Sequence, residues 1–306
     1  METLKTWAEV GVGTLDDDET ISFKTYKNYL ISLANIIKRE YGGDEFSFEQ
    51  IVKNLNIGEK LERNKAPNIE KIKTILFNCW HTELNFILPL TIGPSFMKYS
   101  IHWSPVQGYY SLYLSIRALL ESLNNSINPN HSQTLEVISE FICKRKLFPY
   151  PWSCSCLGLA EINNLKFNCF LKPIEEISML AIPIDKTLES CYAKFLKTTR
   201  ERQFQKRRNN TTDIKTKKGN IKKNWSINDK KKVESRIANT TIFDCIYRLR
   251  IKSNYEEVDT YIFSDITNLE IEEFYNSLKL IIESTLFIME FLMVKSLLNF
   301  RIGFYQ

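Results

Sequence analysis

The stretch HWSPVQGYYSLYLSIRALLESLNN, residues 102–125, contains a full set of helix-start residues. Ser104 can cap the helix, Pro105 takes the first helical position, and Gln107 completes a capping box. The sequence therefore predicts a helix from 105 to about 124. Its apolar and aromatic residues recur at three- and four-residue spacing, which is typical of a helix packed in a bundle.

Most of the remaining sequence is also helical in pattern. Asn130 with Gln133, and Thr267 with Glu270, form two further capping boxes. Few glycines and prolines, 10 and 9 in 306 residues, favour long helices with short connections, so we expect an all-α fold. Residues 150–190 are mixed, and LKFNCFL within them could be extended. Helices are predicted over the ranges 22–40, 46–56, 68–88, 131–146, 238–253 and 267–299.

Composition and missing motifs exclude several classes of protein. The chain is 43% hydrophobic, which is enough for a large core. It contains no P-loop, no GxGxxG and no HExxH, so nucleotide hydrolysis and dinucleotide redox chemistry have no support. The start METLKTWAEVGVGTLDDDET lacks an apolar core behind a basic start, which indicates no signal peptide and a cytoplasmic protein.

Seven cysteines are scattered along the chain, and their odd number favours reduced thiols over a disulfide framework. Cys154 and Cys156 form the one tight pair, with Cys169 as a nearby third candidate ligand. A zinc site would want a fourth ligand. Structural thiols are therefore the favoured interpretation, and neither a metal nor a cofactor is expected.

Residues 194–236 hold the chain's excess of basic over acidic residues. They contain 16 lysines and arginines against four acidic residues, a net charge of +12 in a chain whose total is +5. Their weak apolar periodicity predicts a flexible insertion. Such a segment either binds nucleic-acid phosphates or is a solvated loop without contacts, and the sequence does not separate the two. The candidate nucleic-acid-binding residues are Arg200, Arg202, Lys206, Arg207, Arg208, Lys217, Lys218, Lys222, Lys223, Lys230, Lys231 and Lys232.

The last predicted helix contains LKLIIESTLFIMEFLMVKSLL, residues 278–298. Glu283, Glu290 and Lys295 interrupt every apolar run well short of about 18 residues, so no membrane span is predicted. Apolar residues nevertheless cover much of its circumference. It is therefore either the central helix of the bundle, which we favour, or a dimer interface.

Helical spacing singles out two arginines. Arg117 shares a stripe with Tyr113, and Arg250 shares one with Tyr247, so both are expected to point inward. Arg248 pairs with Asp244 at (i, i+4) and is expected at the surface. An inward guanidinium needs a carboxylate, backbone carbonyls or a phosphate as its partner. One interpretation is structural: an ion pair, with Glu256, Glu257 or Asp259 available to Arg250, or a side chain that extends its charged end to solvent. The other interpretation is a phosphate site.

Three segments together resemble the HEPN superfamily (higher eukaryotes and prokaryotes nucleotide-binding). They are GYYSLYLSIRALL at 108–120, NPNHSQTLEVISEF at 128–141, and RLRIKSNYEEVDTY at 248–261 before the last helix. The resemblance implies a HEPN-like helical bundle over 67–300 after an N-terminal helical extension at 1–66. The mixed segment at 150–190 and the basic insertion at 194–236 interrupt that bundle.

The resemblance also implies a site. Many proteins of this superfamily are dimeric, metal-independent ribonucleases in which an arginine stabilises the phosphate and a histidine, about four to six residues later, transfers protons. Here Tyr255 stands where the histidine would follow Arg250, and a tyrosine with an ordinary pKa of about 10 is a poor base. His131 is either a substitute base near Arg250 and Arg117 or a residue that caps and packs its helix.

Two functions follow from the resemblance. The first is a HEPN-like protein of bacterial defence or toxin type that binds RNA and cleaves it without metal, using Arg250, Tyr255, His131 and Arg117. The second is a catalytically inactive HEPN-like subunit of a larger defence assembly. The missing histidine favours the second, and the basic segment is compatible with both. The expected partners are RNA or another nucleic acid, a protein of a defence or toxin-antitoxin system, and a second copy of the chain, with no membrane.

Overall fold

A computed structural model of the chain describes residues 17–42, 51, 66–123, 130–172, 174, 187–262 and 266–302. The all-α prediction is confirmed over these residues, where one short hairpin is the only sheet. The helix predicted at 46–56 lies outside the described residues except for Ile51. The elements are α1 (Asp17–Tyr41), α2 (Ile69–Ile92), α3 (Pro94–Ser100), α4 (Ser104–Ser122), α5 (His131–Cys143), β1 (Ser155–Leu157), β2 (Lys166–Asn168), α6 (Leu188–Asn210), α7 (Ile227–Glu234), α8 (Ile242–Ile251), α9 (Val258–Ile262) and α10 (Asn268–Ile302).

Helix α4 lies at the centre, and α2 packs along it in the antiparallel direction. Near the middle of α2 the Cys79 thiol donates to the Ser111 carbonyl at 3.2 Å. At its start Lys71 pairs with Glu121, near the end of α4, at 2.7 Å. Because one side of α2 packs against α4, its buried residues repeat on that side, and the opposite side faces solvent.

Helix α10 packs against α4 in the parallel direction. A side chain at Gly108 would bring its Cβ to 3.2 Å from Ile282, so this glycine allows the two helices to approach closely. Fourteen residues further along each helix, the hydroxyls of Ser122 and Ser296 lie 3.2 Å apart. The residues of α10 between Ile271 and Met293 contribute heavily to the core, so the preferred placement of this helix at the centre of the bundle agrees with the structure. In the described part of the chain, no helix is both long and apolar enough to cross a membrane.

Helix α1 was predicted to extend the bundle, but it lies within it. Phe23 contacts Phe274 of α10 with ring centroids 5.2 Å apart, and Tyr29 stacks on Phe195 of α6 at 4.7 Å. These rings belong to the same hydrophobic core as the residues of α4.

Two of the three predicted capping boxes form. Asn130 and Gln133 exchange side-chain bonds at the start of α5, and Thr267 and Glu270 do so at the start of α10. The box at Ser104 is wrong, because its hydroxyl donates to the Ile101 carbonyl of the preceding turn at 3.0 Å. The polar group therefore satisfies a carbonyl behind it instead of an amide ahead of it.

The prediction of a flexible insertion over 194–236 is also wrong. The first part of this segment is helical, in α6, and its later part contains α7. Phe204, Ile214 and Val233 from this segment form a second, smaller core with Leu159 and Ile162, which precede β2. These apolar residues are too sparse to show local periodicity, but residues distant in the sequence complete the core and order the segment.

Candidate functional site

Arg250, near the end of α8, is enclosed by aromatic rings. Only 7% of the residue is exposed, which agrees with its predicted inward position. Its guanidinium carbon lies between 5.0 and 5.7 Å from the centroids of four tyrosines, and Nη2 donates to the Tyr110 hydroxyl at 3.1 Å. Contacts of this kind stabilise a cation through the negative face of each ring. The four tyrosines are Tyr109, Tyr110, Tyr247 and Tyr255.

A π-turn brings Tyr255 onto this arginine. The helix widens over Lys252–Glu256, and the Glu257 amide donates to the Lys252 carbonyl, five residues back, at 2.9 Å. Tyr255 is 64% exposed and so forms the solvent side of the ring set around Arg250. Arg250 and Tyr255, the first and last residues of RIKSNY at 250–255, are therefore in contact.

No carboxylate among the described residues forms an ion pair with Arg250, and its Nε is buried without a hydrogen-bond partner there. Of the acidic residues proposed as partners, Glu256 pairs with Arg202 at 2.7 Å and Glu257 pairs with Lys252. The ion-pair interpretation of Arg250 is therefore wrong. The guanidinium is a nearly buried cation that has rings around it but no carboxylate partner in the described part of the chain, a setting that favours an anionic ligand.

His131 lies in the same group of rings. It begins α5, and its Nδ1 is 2.8 Å from the Tyr109 hydroxyl. Its ring stacks on Tyr247 at 5.9 Å and contacts Tyr113 at 4.4 Å between centroids. Burial, and after it the charge of Arg250, lowers the pKa of His131, so the imidazole is neutral at neutral pH. The sequence left open whether His131 approaches Arg250, and the structure places both against the rings of Tyr109 and Tyr247.

We call Tyr109, Tyr110, Tyr113, Tyr247 and Tyr255 the tyrosine cluster. Arg117 lies at its far edge, half-buried, with its guanidinium carbon 5.9 Å from the Tyr113 centroid. Of the four predicted catalytic residues, Arg250 and His131 thus share the rings of Tyr109 and Tyr247. Tyr255 contacts Arg250, and Arg117 contacts the cluster through Tyr113.

The predicted surface position of Arg248 is wrong. Its Nη1 donates to the Thr198 hydroxyl at 2.8 Å, and its guanidinium lies 5.5 Å from the Tyr26 centroid. Asp244 does not pair with it. The Asp244 carboxylate instead caps α8 through Thr241 and accepts from Gln203 at 2.7 Å, and burial raises the pKa of this carboxyl to about 6.

A cleft of about 620 Å³ adjoins the cluster between α5, α6 and α8. Tyr247 belongs both to the tyrosine cluster and to the lining of the cleft, and Ser132, next to His131, also lines the cleft. Three acidic residues, Glu136, Asp244 and Glu256, lie among the lining residues, so positive charge is in excess. We call it the basic cleft, and its cationic residues are Arg202, Lys206, Arg207, Arg236 and Arg248. Two of them are ion-paired, Arg202 with Glu256 and Arg236 with Asp213.

Three of the twelve predicted nucleic-acid-binding residues, Arg202, Lys206 and Arg207, line the basic cleft. Arg200 does not fit the prediction of a nucleic-acid-binding residue, because only 1% of it is exposed and its side chain is bonded within the protein. It donates to the Glu234 carboxylate at 2.5 Å and to backbone carbonyls that include Gly158 at 3.3 Å. Its role is therefore structural.

The other eight predicted residues do not line the cleft. Lys222 pairs with Asp229 at 2.8 Å and Lys230 with Glu161 at 2.5 Å, while Arg208 packs on the Trp225 ring at 5.3 Å. The remaining five are exposed: Lys217, Lys218, Lys223, Lys231 and Lys232.

Sequence reasoning missed Arg236 and Gln203 as cleft residues, and no local signal marks them. Tyr247 was placed on the stripe of Arg250 without a role of its own. Its position three residues before Arg250 was the signal that could have identified it.

Cysteine chemistry does not contribute a metal centre in the described residues. No group of three or more His, Cys, Asp or Glu side chains there is arranged to hold a metal ion, and all seven cysteines are free. The Cys154 thiol donates to the Cys169 carbonyl at 3.4 Å, and burial raises its pKa well above the ordinary value. The Cys154 thiol is therefore a protonated packing group.

Comparisons of the chain with protein-family models, with curated proteins and with solved structures give no match. The function is therefore argued from the tyrosine cluster and the basic cleft.

Proposed function

We propose that this protein is a HEPN-like RNA-binding protein whose basic cleft holds the phosphates of single-stranded RNA beside the tyrosine cluster. The observation that carries the proposal is the position of the cleft. It contains five cationic residues and shares Tyr247 with an arginine that has no counterion among the described residues. Phosphate is the anion that a planar guanidinium and surrounding lysines bind well.

The exposed ring supports a single strand over a duplex. Tyr255 is 64% exposed, so an unpaired base can stack on it while the backbone follows the cations of the cleft. Along α6, Arg202 and Lys206 are four residues apart and therefore lie on one face, about 6 Å apart along the axis. The amide of Gln205 lies on the same lining and can supply a donor and an acceptor to base edges, whereas that of Gln203 is bonded to Asp244 and Thr240.

A second candidate function is RNA cleavage without metal. It is favoured by His131, whose neutral ring shares two tyrosines with Arg250 and could accept the proton of a 2′-hydroxyl. Against it, Arg250 is 7% exposed beneath Tyr255, so a phosphate reaches the guanidinium only if that ring moves. Binding therefore stands as the proposal, and the inactive subunit of a defence assembly is the alternative outcome.

The binding test uses a fluorescein-labelled 12-nucleotide single-stranded RNA and its DNA counterpart, with anisotropy measured between 50 and 200 mM salt. Lys206→Ala/Arg207→Ala removes two cations from the basic cleft, and Lys217→Ala/Lys218→Ala removes two exposed cations outside it. The cleft pair is expected to lower the affinity at least tenfold and to reduce the slope of log K against log salt by about 1.4. Equal losses in both pairs would show unspecific charge attraction and overturn the proposal.

Cleavage is tested separately by incubating the protein with a mixed RNA pool in EDTA. Fragments that disappear in both His131→Ala and Arg250→Ala would support the second candidate. Intact RNA at high protein concentration, together with cleft-dependent binding, leaves RNA binding as the function. If the RNA stays intact and does not bind, the alternative function, an inactive subunit of a defence assembly, is supported instead.

A further inference from the structure

The solvent side of α2 carries a continuous apolar stripe. Phe77, Trp80, Leu84, Leu88 and Ile92 follow one another at spacings of three or four residues, and each is between 42% and 64% exposed. This spacing places all five on one face of the helix. We call this surface, with its continuation, the α2 face. The continuation through α3 and the following turn consists of Phe96, Tyr99 and Trp103, between 41% and 65% exposed.

The α2 face is larger than the apolar patches that a monomer ordinarily exposes. Eight large side chains, each roughly half exposed, present on the order of 800 Å² of apolar surface, whereas the largest patch on a monomer is about 300–600 Å². About 800 Å² per partner is also the area of a standard protein interface. The α2 face is therefore large enough to form one side of a protein interface.

The face is held in place before any partner binds. The Trp80 indole donates to the Glu290 carboxylate of α10 at 2.6 Å, and Phe77 contacts Trp80 edge-on at 5.6 Å. On the other side of α2, Cys79 and Phe86 are fully buried against the bundle. An incoming group therefore meets a rigid surface, which lowers the entropic cost of association.

Charge identifies the kind of partner. Glu83 lies half-buried on the flank of the stripe, beside Glu290, and forms no ion pair with any described residue. Burial, followed by the charges of Glu290 and Glu283, raises the pKa of Glu83 to about 7. The ionised form of Glu83 thus has no cationic partner among the described residues, and a cation from outside would stabilise it beside Glu290.

The same charge disfavours two other occupants. In a symmetric dimer the patch would face itself, so Glu83 and Glu290 would be brought towards the same carboxylates of the second copy. An anionic lipid surface would also be repelled. A cationic helix with an apolar stripe fits both the apolar side chains and the carboxylates of the α2 face. Such a helix binds an apolar groove or face through its residues at i, i+3, i+4 and i+7.

We propose that the α2 face is the docking surface for an amphipathic helix of another protein that carries lysine or arginine beside its apolar stripe. Its apolar residues pack on Trp80, Leu84 and Leu88, and its cation pairs with Glu83 and Glu290. This surface is separate from the basic cleft, none of whose lining residues belongs to α2 or α3.

The test uses two synthetic helical peptides of about 20 residues with one apolar stripe, flanked in one peptide by lysines and in the other by glutamates. Fluorescence anisotropy measures both on the full chain in 100 mM salt. We expect the lysine peptide to bind at least tenfold tighter. Leu84→Ser/Leu88→Ser, at two exposed positions, should weaken the lysine peptide at least tenfold.

Glu83→Gln/Glu290→Gln is the charge control, since glutamine keeps an acceptor oxygen for the Trp80 indole. It should bring the affinities of the two peptides within about twofold, and RNA affinity in all variants should stay unchanged as a measure of folding. Equal binding of both peptides, or no binding of either, overturns the proposal. Sedimentation as a dimer that Leu84→Ser/Leu88→Ser dissociates, or binding to phosphatidylcholine vesicles through this face, overturns it as well.

Discussion

Replacing Arg250 by methionine tests whether this arginine stabilises the fold or binds a ligand. Methionine has a similar length, keeps an apolar contact with the four surrounding rings, and removes the charge. If the arginine is retained for an anion, the fold should not depend on it.

The structure allows the change in stability to be estimated. Loss of four cation–π contacts costs about 2 kcal/mol in total, and loss of the bond to the Tyr110 hydroxyl about 1.5 kcal/mol. Against this, methionine removes a buried cation whose Nε has no acceptor among the described residues, a gain of about 3 kcal/mol. The net change in the free energy of unfolding for Arg250→Met should therefore stay within about 1 kcal/mol, or about 2 °C in Tm.

The measurement is urea unfolding followed by far-UV circular dichroism, together with RNA affinity by anisotropy. Arg250→Ala serves as the comparison, because the space it leaves among the rings should cost about 3 kcal/mol. If RNA displaces the Tyr255 ring and reaches the guanidinium, the RNA affinity of Arg250→Met should fall about tenfold while its stability is kept. If Arg250→Met lowered the free energy of unfolding by more than about 3 kcal/mol, the reasoning would be refuted, because the arginine would then stabilise the fold.

Three further predictions concern neighbouring groups. Tyr255→Ala should weaken RNA binding by about 1–3 kcal/mol in anisotropy without changing Tm, because the ring is 64% exposed; a large fall in Tm would contradict this. Burial raises the pKa of Asp244 to about 6, so the folded protein retains a proton that the unfolded chain releases above about pH 4. Stability in urea should fall by up to about 3 kcal/mol between about pH 4 and 6, and Asp244→Asn should lack this slope; an identical slope in both would exclude Asp244 as its source. Arg200→Met should lower the free energy of unfolding by about 3–5 kcal/mol, because Glu234 and the Gly158 carbonyl lose their buried donor, and unchanged thermal unfolding would show that water replaces it.

Local signals predicted the fold better than they predicted the site. Capping boxes depend on residues three positions apart, so Asn130 with Gln133 and Thr267 with Glu270 could be identified from the sequence. Ser104 had the same pattern, yet the Ile101 carbonyl of the preceding turn lay closer to its hydroxyl. A competing acceptor outside the helix does not appear in the capping pattern.

The site depends on residues that are distant in the sequence. Helical phase correctly turned Arg250 inward, but three of the tyrosines in the cluster come from α4, more than 130 residues earlier. Glu256 and Glu257 were plausible partners by proximity, and both are taken by other cations. Residues 194–236 are likewise ordered by contacts that are distant in the sequence, since Phe204 packs against residues of the segment before β2.

The π-turn at Lys252–Glu256 bears on how motif spacing should be counted in this chain. On a regular α-helix, residues five apart point about 140° away from each other, so Arg250 and Tyr255 would face different sides. The additional residue in the wide turn changes that angle and places the ring 5.7 Å from the guanidinium. Deleting Asn254 would leave the tyrosine four residues after Arg250, about 40° away on a regular α-helix, so a regular turn should then keep the pair together. Backbone geometry, as much as residue identity, is therefore what makes RIKSNY a pair.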